Sequence, residues 1–180
     1  MGSRLLPYGA PNDHSAVITV IVDDLAFLAV DAVVRPADES LAPLTSEGSR
    51  LDRLAGERFA AQRRVTSPLQ AGAAVVTGGG DLAAPYVLHA VIRDRQTPVD
   101  RATVRRALVS AWQRAGDWGL RRLAAPLVGT GPGGLSEEEA ARILAETFPQ
   151  DQGEQGMALA IVVEKETTRD LVAAIVGRTA

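Results

Sequence analysis

The most informative stretch of this sequence is Val128-Gly129-Thr130-Gly131-Pro132-Gly133-Gly134-Leu135-Ser136-Glu137-Glu138-Glu139. An apolar run leads here into four glycines and then into a predicted helix, whose Ser-x-x-Glu start has the pattern of a capping box. Glycine adopts left-handed conformations and places no Cβ in the path of a ligand. A strand, a glycine loop and a helix N-terminus in this order expose backbone N–H groups to which an anion can bind. The alternative is an ordinary turn before a capped helix, whose glutamates complement the helix dipole and would repel a phosphate.

Around this loop, short apolar runs alternate with longer segments of helical spacing. The predicted strands are Ala16–Val22, Asp31–Val34, Ala73–Thr77, Tyr86–Ile92, Leu120–Val128 and Ala158–Val163. The predicted helices are Arg50–Gln62, Asp100–Ala115, Ser136–Phe148 and Thr168–Val176, and Gln150–Gly156 is predicted to be a polar surface loop. Pro36 is expected to end the second strand, because proline has no backbone donor. This alternation predicts an α/β fold, a three-layer α/β/α sandwich around a central mixed sheet with much parallel pairing.

Length and composition narrow the class of protein. The 180 residues predict one domain over 1–180, with 1–15 as a flexible N-terminal segment that lacks the apolar core of a secretory signal. The absence of cysteine excludes disulfides and thiolate metal sites. A net charge of −3 argues against a nucleic-acid-binding function, and two histidines without a spaced carboxylate cluster predict no metal site. We expect no cofactor. No apolar run approaches the roughly 20 residues that span a bilayer, so we expect a cytoplasmic protein.

Four segments of the chain carry a family resemblance. They are Asp24–Asp38, which contains Val30-Asp31-Ala32-Val33-Val34; Val76–Val91, which begins Val76-Thr77-Gly78-Gly79; the glycine loop, Leu127–Gly134; and Ala140-Ala141 behind that loop. In this order and spacing they resemble the macro domains, the ADP-ribose-binding or Appr-1-p processing family. The resemblance extends from about Val17 to Val163, and it implies a macro-domain fold.

The resemblance also implies roles for particular residues. Asp24 takes the place of the aspartate that accepts a hydrogen bond from the adenine amino group, and Leu25 that of its hydrophobic neighbour. The loop of Gly129, Thr130, Gly131, Pro132, Gly133 and Gly134 takes the place of the one whose amides hold the diphosphate. Asp38 takes the place of an asparagine that touches the distal ribose. From the residues alone, the preferred interpretation of Asp24 is a helix cap or a residue of a solvated turn.

The sequence departs from the family in its first phosphate loop. Arg35-Pro36-Ala37-Asp38 stands where the family has Asn-Ala-Ala-Asn, and Pro43–Gly48 replaces a glycine-rich stretch. Arg35 is a candidate for a bidentate phosphate contact and Asp38 for the group that activates water. The alternatives are a surface Arg35 and an Asp38 that begins a turn. Val163 and Glu164 follow the last strand where the family often has an aromatic ring that stacks on adenine.

Three functions therefore compete. The first is binding of ADP-ribose or a related nucleotide diphosphate, free or on an ADP-ribosylated protein. The second is hydrolysis of an ADP-ribosyl ester with Asp38 as the catalytic residue, so the sequence leaves open whether the chain is an enzyme. The third is a degenerate macro fold that serves protein contacts, its pocket partly filled by Leu44. His89, in the middle of an apolar strand, is interpreted as a buried, hydrogen-bonded histidine rather than a catalyst.

Overall fold

A computed structural model describes residues 17–150 and 156–179 of the chain. The predicted N-terminal segment 1–15 lies outside these residues, as does most of the predicted loop Gln150–Gly156. The strands are β1 (Ile18–Val22), β2 (Ala32–Asp38), β3 (Ala74–Gly78), β4 (Tyr86–Arg93), β5 (Arg122–Ala125) and β6 (Ala158–Val163). The helices are α1 (Ser46–Gln62), α2 (Arg101–Asp117), α3 (Glu137–Thr147) and α4 (Glu166–Thr179), and a 3₁₀ helix spans Leu25–Phe27.

The six strands form one mixed sheet in the order β1-β6-β5-β2-β4-β3. Only β3 runs antiparallel to its neighbour, β4, whereas the other paired strands are parallel. The carboxyl ends of the five parallel strands therefore meet at one edge of the sheet. In open α/β sheets this edge is where ligands bind.

Helices cover both faces of the sheet. Residues that alternate along β2 point to opposite sides, because successive side chains of a strand do so. Val33 packs with Phe59 of α1 in one apolar cluster, whereas Val34 packs with Leu108 of α2 in a second. The second cluster also holds Leu144 of α3 and residues of α4. The predicted three-layer sandwich with a mixed sheet is confirmed.

Two predicted strand ends are wrong, and proline is involved in both. Strand β2 continues through Pro36 to Asp38, with Pro36 opposite Ala90 of β4. On its other side β2 pairs with β5 only at Ala32 and Val33. Pro36 therefore lies where that side is no longer paired with β5, and a missing donor is tolerated there. Strand β5 is shorter than the predicted Leu120–Val128, since its pairing ends at Ala125, directly before Pro126.

The helix starts follow local capping. Ser136 and Glu139 form the predicted capping box at the start of α3. Helix α1 begins four residues earlier than predicted, because the Thr45 hydroxyl accepts the Gly48 N–H at 3.1 Å. Within α1, Gly56 has φ of 83°, where the Asp81 N–H donates to the Ala55 carbonyl. Among the described residues, no helix is both long enough and apolar enough to cross a membrane.

Candidate functional site

A cleft of about 770 Å³ opens at the carboxyl edge of the parallel strands. One wall follows β1 and carries Asp24 and Leu25. The start of α1 also lines the cleft, as do Thr130 and Gly131 from the glycine loop. The segment that follows β6, with Lys165, contributes further lining residues. The fold thus brings two regions that the sequence singled out, about a hundred residues apart, into one cavity.

The glycines of the loop differ in whether they are needed for packing of the loop or line the cleft. Gly129, Gly131 and Gly133 have positive φ, at 98°, 129° and 74°. A Cβ on Gly134 would lie 2.2 Å from the Gly129 carbonyl oxygen, and a Cβ on Gly129 would lie 2.9 Å from Val104. Gly129 and Gly134 are therefore required for packing of the loop itself. Of the six predicted loop residues, only Thr130 and Gly131 line the cleft.

Some loop amides are already hydrogen-bonded within the protein. The N–H groups of Thr130, Gly134 and Leu135 donate to the carbonyls of Leu127, Gly131 and Gly129 at 3.4, 3.0 and 2.8 Å. Within residues 17–150 and 156–179, the N–H of Gly131 has no such acceptor. A donor on the cleft wall thus remains available at Gly131, which is a smaller anion site than the sequence predicted.

The substituted first loop leaves the cleft open. Its residues Thr45, Glu47 and Gly48 line the cavity at the N-terminus of α1. A Cβ on Gly131 would be 3.5 Å from Cγ2 of Thr45, so the glycine loop and the start of α1 face each other across a narrow gap. Leu44 packs against the main apolar core and is not a lining residue. The expected filling of the pocket by Leu44 is therefore wrong.

Asp24 follows β1, lines the same cleft and has more than one partner. Its Oδ1 accepts the Ala26 N–H at 3.1 Å, so it caps the 3₁₀ helix. The same Oδ1 accepts a hydrogen bond from Nη1 of Arg50 at 3.0 Å, and Oδ2 forms an ion pair with that nitrogen at 2.8 Å. This hydrogen bond raises the pKa of Arg50 above its ordinary value. The guanidinium carbon of Arg50 also lies 5.9 Å from the centre of the exposed Phe27 ring.

The charges along the cleft are mixed, with an excess of acids. Five carboxylates line it, those of Asp23, Asp24, Glu47, Glu137 and Glu164. The basic lining residues are Arg35, Arg50 and Lys165. Since Arg50 is paired with Asp24, a bound diphosphate would meet few unpaired cations and would depend on backbone amides.

In the structure, Arg35 binds a carboxylate of the protein itself, not the predicted phosphate. Its side chain is fully buried, and its Nε and Nη2 donate to the two oxygens of Asp52, both at 2.7 Å. The planar fork that would bind a phosphate is thus engaged by a carboxylate of α1. The alternative of a surface Arg35 is also wrong. Arg35 borders the floor of the cleft, but its bidentate face is turned to Asp52.

His89 is buried and hydrogen-bonded, as the sequence predicted. Nη1 of Arg35 lies 3.1 Å from its Nδ1, and Oγ1 of Thr77 lies 2.8 Å from its Nε2. Because arginine only donates, Nδ1 must accept, so the proton of the neutral ring is on Nε2 and is donated to Thr77. Burial, together with the charges of Arg35 and Arg63, lowers the pKa of His89 to about 3. His89 is therefore neutral at physiological pH.

Asp38 does not line the cleft. Its Oδ1 accepts from the Ser40 N–H at 2.9 Å, the Ser40 hydroxyl at 2.8 Å and the Ala42 N–H at 3.0 Å. Burial alone raises the pKa of Asp38, but these hydrogen bonds outweigh it and lower the pKa below its usual value. Asp38 thus begins a turn after β2, which was the alternative interpretation. The roles predicted for it, catalysis and contact with the ribose, have no support in this geometry.

Sequence reasoning missed two partners that matter here. Asp52 is one, although an arginine inside the apolar strand Ala32–Asp38 was itself a signal that a buried carboxylate would face it. Arg50 is the other, and no local pattern relates it to Asp24, which lies 26 residues earlier. Among the described residues, no three histidine, aspartate or glutamate side chains group as metal ligands.

Comparison with known proteins identifies the family. The family model described as Macro domain matches residues 34–144. Since this match covers more than half of the chain, the chain belongs to the macro domain family. The resemblance seen in the sequence motifs is confirmed.

Individual relatives agree with this assignment. An O-acetyl-ADP-ribose deacetylase 1 of Pantoea vagans is 31% identical over 133 residues, which are 70% of this chain and 77% of that protein. An uncharacterized protein of Aeropyrum pernix is 31% identical over 70% of this chain and 67% of its own length. In an uncharacterized protein of Mycobacterium tuberculosis the match is 29% identical and spans only 34% of that protein.

A solved structure supports the same fold. The Trypanosoma brucei macrodomain, crystallised in complex with ADP, superposes with a TM-score of 0.80. It is 24% identical, and the match covers 93% of this chain and 74% of that one. At this identity the likeness establishes the architecture and leaves the ligand of this chain to be argued from its own residues.

Proposed function

We propose that this macro domain binds ADP-ribose or a closely related nucleoside diphosphate in the cleft at the carboxyl edge of its sheet. The observation that carries the proposal is that Asp24, Leu25 and Gly131 line one cavity. The relative from Pantoea vagans is named for an ADP-ribose derivative, and the Trypanosoma brucei structure holds ADP. Both make this ligand class the first to test.

The wall that carries Asp24 suits the adenine base. The Asp24 carboxylate can only accept hydrogen bonds. Within the described parts of the chain, the neighbouring Leu25 N–H has no acceptor. An acceptor beside a free donor complements adenine, which offers an amino group next to the ring acceptor N1.

The part of the cleft lined by Gly131 and the start of α1 suits the diphosphate, within limits. The Gly131 N–H has no acceptor within the described residues, and Thr45 and Gly48 at the N-terminus of α1 line the same cleft. Helix N-termini favour anions. Glu47 and Glu137 line the same region and oppose a negative ligand. We therefore propose modest affinity, with the base end contributing much of the selectivity.

Binding is better supported than hydrolysis. Arg35 and Asp38 occupy the positions of the two asparagines expected from the family. Arg35 is engaged with Asp52, and Asp38 lies outside the cleft lining. Neither residue is free to position an attacking water. An ADP-ribosylated protein as the natural partner and a cytoplasmic location remain predictions.

The proposal is tested by titrating the chain with ADP-ribose in a calorimeter, with Gly131→Glu as the disruptive variant. We expect the wild type to bind and Gly131→Glu to bind at least about tenfold more weakly, since a carboxylate would enter the anion site. Binding by Gly131→Glu at wild-type strength would contradict the assignment of the loop. No binding by the wild type at millimolar ADP-ribose would contradict the proposal itself.

The matched control is Gly131→Ala. Both variants place a side chain at φ of 129°, so they share the backbone strain. The alanine Cβ meets Cγ2 of Thr45 only at ordinary contact distance, 3.5 Å. We expect Gly131→Ala to keep most of the affinity, so that the difference between the two variants reports the carboxylate.

A further inference from the structure

We propose that Arg50 is a specificity-determining residue that reads N7 of the adenine ring, as the partner of Asp24. This inference rests on the proposed binding of an adenine nucleotide in the cleft. It concerns a residue that the glycine loop and the other sequence motifs do not include. Arg50 lies in the second turn of α1 and lines the cleft beside Asp24.

The first step is the arrangement of the two side chains. Nη1 of Arg50 lies 2.8 Å from Oδ2 of Asp24, so a donor and an acceptor stand side by side on the cleft wall. The amide of asparagine or glutamine offers the same neighbouring pair when it binds the N6–N7 edge of adenine. The Asp24–Arg50 pair thus presents to the ligand a neighbouring acceptor and donor, as a single asparagine or glutamine side chain does.

The second step is that Arg50 has N–H donors that its contact with Asp24 does not use. A guanidinium carries five N–H groups. In the described residues, the hydrogen bond and the ion pair of Arg50 both join Nη1 to Asp24. Glu164 acts on Arg50 through its charge, so Nε and Nη2 are left for a ligand. The side chain is 47% exposed, so a nucleotide can reach it.

The third step is that Arg50 is held in place before a ligand arrives. Its guanidinium is fixed at one edge by Asp24 and lies against the Phe27 ring, with the guanidinium carbon 5.9 Å from the ring centre. Asp24 is itself oriented by the Ala26 N–H at 3.1 Å. Little side-chain freedom is then lost on binding, which favours a directional contact.

Together the wall offers a donor at the Leu25 N–H, an acceptor at Asp24 and a donor at Arg50. Adenine presents the complementary series of N1, the N6 amino group and N7. In guanine or hypoxanthine a carbonyl oxygen replaces the amino group, and it would face the Asp24 carboxylate, acceptor against acceptor. The geometry therefore selects adenine among the purines, and Arg50 accounts for the part of that selection that depends on N7.

The experiment compares ADP-ribose with its 7-deaza analogue, in which a C–H replaces N7, on the wild type and on Arg50→Ala. We expect the wild type to bind the analogue about fivefold to tenfold more weakly, as for one lost hydrogen bond to a charged group in a half-exposed site. Arg50→Ala should bind both ligands equally. A wild type that binds ADP-ribose but does not distinguish the two ligands would overturn the inference and leave the proposed function standing.

The controls separate reading of N7 from other effects of Arg50. Arg53→Ala removes an exposed arginine of α1 that does not line the cleft, and it should keep the wild-type ratio between the two ligands. Arg50→Lys, which retains a donor and the charge, should keep part of the discrimination. If Arg50→Ala binds ADP-ribose more tightly than the wild type, Arg50 competes for Asp24 instead of reading the base, and the inference is wrong. Failure of the wild type to bind ADP-ribose at all would overturn both proposals.

Discussion

Two of the arginine–aspartate pairs that connect α1 to the rest of this molecule differ mainly in burial. Arg35 and Asp52 are 2.7 Å apart, with side chains 0% and 12% exposed. Arg50 and Asp24 are 2.8 Å apart, with side chains 47% and 37% exposed. The distances are nearly equal, but water is excluded from the first pair and reaches the second. The Arg35–Asp52 pair is therefore part of the buried core, whereas the Arg50–Asp24 pair remains accessible to a ligand.

The surroundings of the pairs reinforce the contrast. Arg35 also donates to His89, and Asp52 lies 3.5 Å from Nε of a second arginine, Arg63. Each buried charge therefore has partners that would be left without compensation if one member were removed. Arg50 and Asp24 are both partly exposed, so water would solvate either charge if its partner were removed.

The largest expected effect is on stability, and it compares Asp52→Ala with Arg50→Ala. Asp52→Ala leaves the fully buried Arg35 without its carboxylate and should lower the free energy of unfolding by about 3–5 kcal/mol. Arg50→Ala removes an exposed ion pair, so it should lower the free energy of unfolding far less than Asp52→Ala does. Urea denaturation followed by circular dichroism measures both. Equal losses of unfolding free energy in the two variants would contradict the distinction between a buried and an exposed pair.

The next largest effect is on the pH dependence of stability. It tests the surroundings of the buried pair, because His89 contacts Arg35. His89 has a pKa of about 3 in the folded state against an ordinary 6.5. Between these values the unfolded chain binds a proton that the folded chain does not, so stability falls as the pH is lowered. From pH 6.5 to pH 5 the expected loss is about 1.5 kcal/mol.

His89→Asn removes the titrating ring and serves as the control for this pH dependence. Its free energy of unfolding should change less with pH over the same interval, whatever its stability at neutral pH. Parallel pH profiles for the variant and the wild type would show that the ring is not held neutral by burial beside Arg35.

The smallest effect concerns the open side of the molecule. Glu137 lines the cleft, whereas Glu138, in the same first turn of α3, does not. Glu137→Gln should strengthen binding of ADP-ribose about twofold to fivefold, because a carboxylate that repels the diphosphate is removed. Glu138→Gln removes the same charge from the same helix end and should change the affinity little. Calorimetric titration of the two variants measures the difference, and equal effects would mean that charges on the open side do not act on the ligand locally.

Much of the fold could be predicted because its signals are local. The capping box of Ser136 and Glu139 spans four residues, and it starts α3 as expected. Strand β6 has the predicted bounds, Ala158–Val163, since a continuous apolar run belongs to a strand buried on both faces. The end of β2 was missed, because whether Pro36 breaks a strand depends on where the neighbouring strand stops.

The candidate site was predicted less well, for a related reason. The glycine loop was found from its composition, but which of its amides reach the cleft depends on hydrogen bonds inside the loop, such as the one from Leu135 to Gly129. Asp24 was found through the family motif, whereas its partner Arg50 was not. A position such as 38 can match a family motif in order and still carry a side chain that bonds to its own turn.

The sequence by itself determined the alternation of strands and helices, the apolar faces that pack into three layers and the glycine loop, because each follows from residues a few positions apart. Only the tertiary structure decided which charges are withdrawn from solvent and which face the cleft. Asp52 reaches Arg35 across 17 residues, and Arg50 reaches Asp24 across 26. Partners at such separations are chosen by the packing of α1 on the sheet, and it is this packing that makes one arginine part of the core and leaves the other exposed to a ligand.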